Sequence, residues 1–389
     1  MASYFSNIKK SFKWKHYANY AAIIAVFVLF VALYYGGALN RQMPSLLNQI
    51  AYSVILAVSL NLVVGFLGEL SLGHAGFMCV GAYLGTFMSN IFIKAGMPTQ
   101  LALVISIVIG GASAAVFGLI VGLPALRLRG DYLAIVTLAF GEIVRNICRN
   151  IPAFGGAQGL GSEIYSANLM DKSAPPLFIP TFVCLLIMLF LVQNLIHSKH
   201  GRAITAIRDN EIAAKSMGVN ITYYKLLVFV FSAFFAGIAG VIYGASVSPV
   251  EYPTFDFNYS IEILVMVVLG GMGSINGSII AAAIITVLNF YLKAYLTGDM
   301  AAIKTLVYAL ILIVMVVYKN APALKAFREK YDLKKFINNL FSKRKGAHVI
   351  TDDEARWDVV PTKISMDEVL STDIVVKESV TKPDKGGNS

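Results

Sequence analysis

Residues 202–218 read RAITAIRDNEIAAKSMG, a polar island set between two long apolar blocks. Asp209 and Asn210 are good N-cap residues. Glu211 stands where the dipole of a helix start favours a carboxylate, and Gly218 suits the left-handed position that closes a helix. These signals predict a helix of about two turns. Within it Ala213, Ala214 and Met217 form a small apolar face flanked by Glu211 and Lys215. Such a face fits a groove in another protein, and the plainer reading is an amphipathic connector lying on a membrane surface.

The blocks on either side decide what kind of molecule carries this island. The chain has 389 residues, is 57% apolar and has a mean hydropathy of +0.70. Between positions 18 and 318 only 25 of 301 residues are charged, far below the roughly 25% of a soluble domain. This composition predicts an all-α, polytopic transmembrane helix bundle. About ten spans (eight to ten) follow from the apolar runs, over 18–35, 46–67, 77–93, 100–123, 132–147, 177–196, 226–247, 259–269, 278–295 and 302–317. Lys9, Lys10, Lys13 and Lys15 precede the first run, which lacks an A-x-A cleavage pattern and reads as a retained span. Internal segments ahead of the tail hold eleven Lys or Arg and external ones seven, so both termini are expected in the cytoplasm. The net charge of +10 is then explained by basic loops rather than by nucleic acid.

Three regions are expected: a cytoplasmic segment 1–17, a permease-like membrane domain 18–318 whose polar loop spans 198–224, and a cytoplasmic tail 319–389. Residues 319–345 carry nine basic and two acidic residues, suited to anionic lipid, whereas 351–389 carry nine acidic and five basic with little periodicity.

Two stretches interrupt the apolar pattern with glycines. Residues 65–77, GFLGELSLGHAGF, and residues 270–277, GGMGSING, predict broken or re-entrant helices. Irregular backbone at membrane depth is tolerated only against protein or a water-filled cavity. Glu69, Ser71, Gly73, His74, Gly76, Gly271 and Gly273 are therefore candidates for a translocation path. Glu142 and Arg145, an i, i+3 pair in the fifth span, join them because ionisable groups at membrane depth usually face a cavity or a partner. The plainer reading is that these two simply pair with each other.

No GxxxxGK[ST] loop, GxSxG elbow, HExxH pair or CxxC occurs. The five histidines are scattered, and Cys79, Cys148 and Cys184 have no metal-ligand spacing. No catalytic or metal-binding residue is expected, and no cofactor bound by this chain.

Four runs together resemble the LivM-type permeases of branched-chain amino-acid ABC transporters: GELSLGHAGFMCVGAYLG (68–85), LRLRGDYLAIVTLAFGEIVRNI (126–147), GRAITAIRDNEIAAKSMGVN (201–220) and LVMVVLGGMGSINGSIIAAA (264–283). The third contains a loop similar to the "EAA" element that engages separate ATPase subunits, with one residue inserted after the Glu. The resemblance covers about residues 20–320; the tail lies outside it. It implies an ABC importer permease fold in the cell inner membrane and a heterodimer with a LivH-type permease. It also implies two ABC ATPase subunits that hold the ATP and Mg, and an extracytoplasmic binding protein. Arg208, Asp209, Glu211, Ala213, Ala214 and Gly218 would be the ATPase-coupling residues. The family includes relatives for urea and short amides, so the cargo is a branched-chain amino acid or such an amide. A channel or secondary transporter is the other reading, though it has no use for the 211–218 loop.

Overall fold

The structure is a computed structural model that describes residues 43–125, 131–170 and 177–295, with isolated positions at 28, 31–34, 36, 310 and 313. All belong to the first of two compact units, Met1–Asn320. The expected first and last spans, the segment 1–17 and the tail 319–389 lie wholly or almost wholly outside the described residues.

Eleven α-helices follow one another through the described residues: α1 (Met43–Asn61), α2 (His74–Lys94), α3 (Thr99–Ala125), α4 (Asp131–Asn150), α5 (Glu163–Met170), α6 (Phe178–His197), α7 (Lys199–Asp209), α8 (Glu211–Ser216), α9 (Ile221–Ser246), α10 (Phe257–Gly270) and α11 (Ile275–Tyr295), with a π-helical turn, Leu62–Leu67, continuing α1. Six of them are long and apolar enough to cross a membrane, counting α1 with its π turn as one. The expected fifth span is α4, a 20-residue helix whose Glu142, Arg145 and Arg149 set it apart from those six. The expected eighth span is α10, which has 14 residues. At 1.5 Å per residue it reaches about 21 Å, short of a hydrocarbon core of about 30 Å. The count of ten is thus not reproduced by the described residues.

α1 occupies the centre. Nearly all of its residues from Leu46 to Asn61 are buried, and α6, α9, α10 and α11 all pack on it. Several of its polar groups pair with neighbouring helices. Ser232 donates to Ser59 O at 2.6 Å, Thr181 donates to Asn48 Oδ1 at 2.6 Å, and Ser59 Oγ and His74 Nε2 share a hydrogen bond of 2.8 Å. In an apolar medium such pairs fix which helices meet, because an unpaired polar group there is costly.

The tightest packing joins α9 to α2 and α3, and it depends on residues without side chains. A Cβ on Gly81 would fall 2.2 Å from Gly237 O, and one on Gly240 would fall 2.1 Å from Met78 O. These are main-chain contacts, so no rotamer change relieves them. Gly240→Val is expected to cost at least the roughly 1–3 kcal/mol of an overpacked core and to lower the unfolding temperature of the detergent-purified chain. Gly161→Ala, with nothing within 4 Å of the added atom, should leave that temperature unchanged.

Candidate functional site

The polar island of the sequence forms two helices that meet at Asn210. α7 is N-capped by Ser198, whose Oγ accepts from His200 N and Gly201 N. α8 is N-capped by Asn210, whose Oδ1 accepts from Ala213 N at 3.0 Å. Asp209 is therefore not a cap: it ends α7, and its carboxylate pairs with Arg208 at 3.0 Å. Gly218 closes the island with φ of +81°, the left-handed conformation expected of it.

The face of α8 differs from the expected one. Ala214 is buried, 5% exposed, against the bundle, whereas Ile212 is 77% and Met217 84% exposed. Ala213, Lys215 and Ser216 are exposed as well. Successive residues of a helix lie about 100° apart, so Ala213 and Met217 share an outward side while Ala214 turns inward to the apolar cluster that includes Ile204 and Ile207.

Two cationic side chains fasten this element to the first glycine-rich break. Lys225, at the start of α9, is almost wholly buried and donates to Glu69 at 2.6 Å and to Glu211 at 3.3 Å. One carboxylate belongs to the first break, the other to α8. Arg208, from α7, donates through Nη1 to Gly65 O in the π turn at 3.1 Å. The two breaks also hold each other: Asn61 donates to Ser274 O at 3.2 Å and to Ser278 Oγ at 3.0 Å, and accepts from Gly273 N at 2.9 Å. The approach is so close that a Cβ on Gly65 would lie 2.2 Å from Gly273 N. Lys225 was legible in the sequence only as one more basic residue of an inward loop, since nothing local marks a lysine whose partners are 14 and 156 positions away.

The other path candidates fall into separate places. Ser71 and His74 are each 2% exposed, enclosed by this chain's own helices. Gly73 and Gly76 serve packing, since a Cβ on Gly73 would meet Thr137 O at 2.1 Å and one on Gly76 would meet Gly141 Cα at 2.6 Å. A valine at either would push α4 away from α2. The turn at Gly271 and Gly273 is half-open, with Met272 62% exposed. Gly273 borders a cavity of about 300 Å³ with Phe66, Gln193, His197 and Asn276. Glu142 and Arg145 pair at 2.6 Å on α4, the helix whose Gly141 meets Gly73 and Gly76 of the first break.

Removing one partner of a buried ion pair strands the other charge, at a cost on the order of 3 kcal/mol. Lys225→Met is therefore expected to lower the unfolding temperature of the purified chain markedly. Adding Glu69→Gln to it should recover part of the loss, because the stranded carboxylate is gone. Purely additive losses in the double variant would contradict the pairing.

The comparisons with known proteins agree with this architecture. The family described as "Branched-chain amino acid transport system / permease component" matches residues 42–316. The high-affinity branched-chain amino acid transport system permease protein LivM of Escherichia coli is 35% identical over 308 residues, covering 72% of this chain and 69% of its own length. The LivM of Salmonella typhimurium is 32% identical over 333 residues, covering 79% and 76%. The permease LivH of Salmonella typhimurium is 24% identical over 278 residues, covering 68% and 88%. With its several apolar helices long enough to span a bilayer, the chain is a multi-pass membrane protein, and it belongs to the family of permease components of branched-chain amino acid transport systems.

Proposed function

We propose that this chain is one of two permease subunits of an ATP-driven importer for branched-chain amino acids, working beside a LivH-type permease. α8 docks on one of two ABC ATPase subunits in the cytoplasm, and an extracytoplasmic binding protein delivers the cargo. The chain itself catalyses nothing and binds no cofactor; ATP and Mg belong to the ATPases. Both termini lie in the cytoplasm, on the docking side.

The observation that carries this reading is the double tie of the α7–α8 element, through Lys225 and Arg208, to the first glycine break, which Asn61 in turn joins to the second. A connector resting on the membrane surface needs no buried lysine. An element that must transmit force does, because a displacement of α8 then reaches the breaks through short, directional contacts instead of dissipating in a loop. Closure of the ATPases on ATP would move α8, the breaks would follow, and access to the path would alternate between the two faces of the membrane.

The outward residues Ile212, Ala213, Ser216 and Met217 give α8 a docking surface with an exposed apolar pair at its rim. Energy in such contacts concentrates in a few well-packed positions. Ala213→Trp should therefore remove the ATPase subunits from the purified complex and abolish leucine uptake while the permease still accumulates in the membrane. Ala214→Trp should act differently, by prising α8 off the bundle and lowering the yield of folded permease. Leucine uptake into proteoliposomes with the cytoplasmic face and ATP inside is expected to need ATP, the second permease and the ATPases together; uptake without any of them would refute the importer reading.

A further inference from the structure

The outward face of α4 is unlike that of its neighbours. α3 exposes Leu101, Val104 and Val108, and α6 exposes Val183, Ile187 and Phe190, as expected of helices facing hydrocarbon. α4 packs its other side, with Thr137, Phe140 and Gly141, against the break and the start of α2. Away from that contact Glu142, Asn146 and Asn150 recur at every fourth residue, with Ile143 and Ile147 beside them. These five and Ile151 line a groove of about 490 Å³. Arg145 donates to Glu142 at 2.6 Å, while its Nε is buried with no hydrogen-bond partner among the described residues. Asn146 and Asn150 each donate an amide hydrogen to the carbonyl four residues earlier, both at 2.8 Å.

Depth makes the arrangement informative. At 1.5 Å per residue, Glu142 lies roughly 16 Å from Asp131 and roughly 12 Å from Asn150, near the middle of the helix. Placing a carboxylate and a guanidinium there against lipid tails costs several kcal/mol, and such groups usually face a water-filled cavity or protein instead. The isoleucines on the same face exclude an all-polar wall. A surface that offers both an ion pair and an apolar stripe matches a ligand that carries both charges and a hydrocarbon side chain.

We propose that this face of α4 is a substrate subsite for an α-amino acid with a branched aliphatic side chain: Glu142 takes the ammonium, Arg145 the carboxylate, and Ile143 and Ile147 the side chain. The proposal rests on the importer reading above, in which a second permease closes the opposite wall. The exchange conserves charge. One ion pair within the helix is traded for two with the zwitterion, so no net charge is carried into or left in the low-dielectric path. Because the Glu142–Arg145 pair reforms when the cargo leaves, the subsite holds substrate only weakly, as a site of passage requires.

The test uses the full complex in proteoliposomes, with Asn146→Cys or, one turn nearer the end of α4, Asn150→Cys. The rate of modification by a charged, membrane-impermeant thiol reagent is followed in each nucleotide state. The parent chain, whose Cys79 and Cys148 are buried, sets the background. Both cysteines are expected to react in at least one state. L-leucine should slow the reaction at Asn146→Cys, and isopentylamine, which lacks the carboxylate, should not. Adding Glu142→Gln should raise the leucine concentration needed for protection by roughly tenfold, the loss expected for one charge-assisted contact. No reaction at either position in any state would place the face against lipid or protein and overturn the proposal. Reaction that leucine fails to slow, or that isopentylamine slows equally, would also overturn it. ATP-dependent leucine uptake in the same proteoliposomes reads the importer function independently, so uptake without protection refutes the subsite alone.

Discussion

The Lys225 ammonium between Glu69 and Glu211 is the contact on which the rest of the arrangement depends. A lysine this deeply buried is tolerable only if its charge is met, and here it is met from two directions at once. One partner is on the irregular segment after the π turn and the other is on the short helix α8. Neither element is long: α8 has six residues and the segment 68–73 lies outside any helix. The ion pairs therefore locate both, and they locate them relative to each other. Arg208, donating to Gly65 O, repeats the device on the other side of the break, and Asn61 carries it on to Gly273 and Ser274.

Such polar fastening works because the surrounding bundle is rigid where it must be. α2, α3 and α9 meet through main chain at Gly81, Gly237 and Gly240, a contact too close to slide without separating the helices. The breaks lie beside this block rather than within it. A carbonyl freed by the π turn at Gly65 is available to Arg208 because no residue of the same helix claims it. Stiff helices and polar hinges thus come from the same economy of small residues: glycine permits close approach in one place and irregular backbone in another.

Much of this was legible in the sequence. Asn210, Glu211 and Gly218 announced α8 through cap chemistry alone, and the glycine spacing of 65–77 and 270–277 marked both breaks. What the sequence concealed was direction and pairing. Cap signals say where a helix starts but not which side it turns to the bundle, and so Ala213 and Ala214 were assigned a common face that one helical step divides. Gly73 and Gly76 looked like path residues for the same reason: glycine marks close approach, and only coordinates say whether the visitor is a substrate or, as here, Thr137 and Gly141. The ties of Lys225 and Arg208 span 156 and 143 positions, beyond any local pattern. In α4 the charges that keep it from resembling an ordinary span were visible from the start, but their outward orientation was not.

The central claim is that α8 and the glycine breaks move as one body. Spin labels on Lys215→Cys in α8 and Met272→Cys in the second break, both exposed positions, would measure it in the reconstituted complex by pulsed electron resonance, with a second label pair across the two permeases to report the conformational change. The account predicts that the distance between the two permeases changes on ATP binding while the distance from α8 to the break keeps the same distribution. A distance from α8 to the break that shifts with nucleotide, in a complex that still transports, would contradict it.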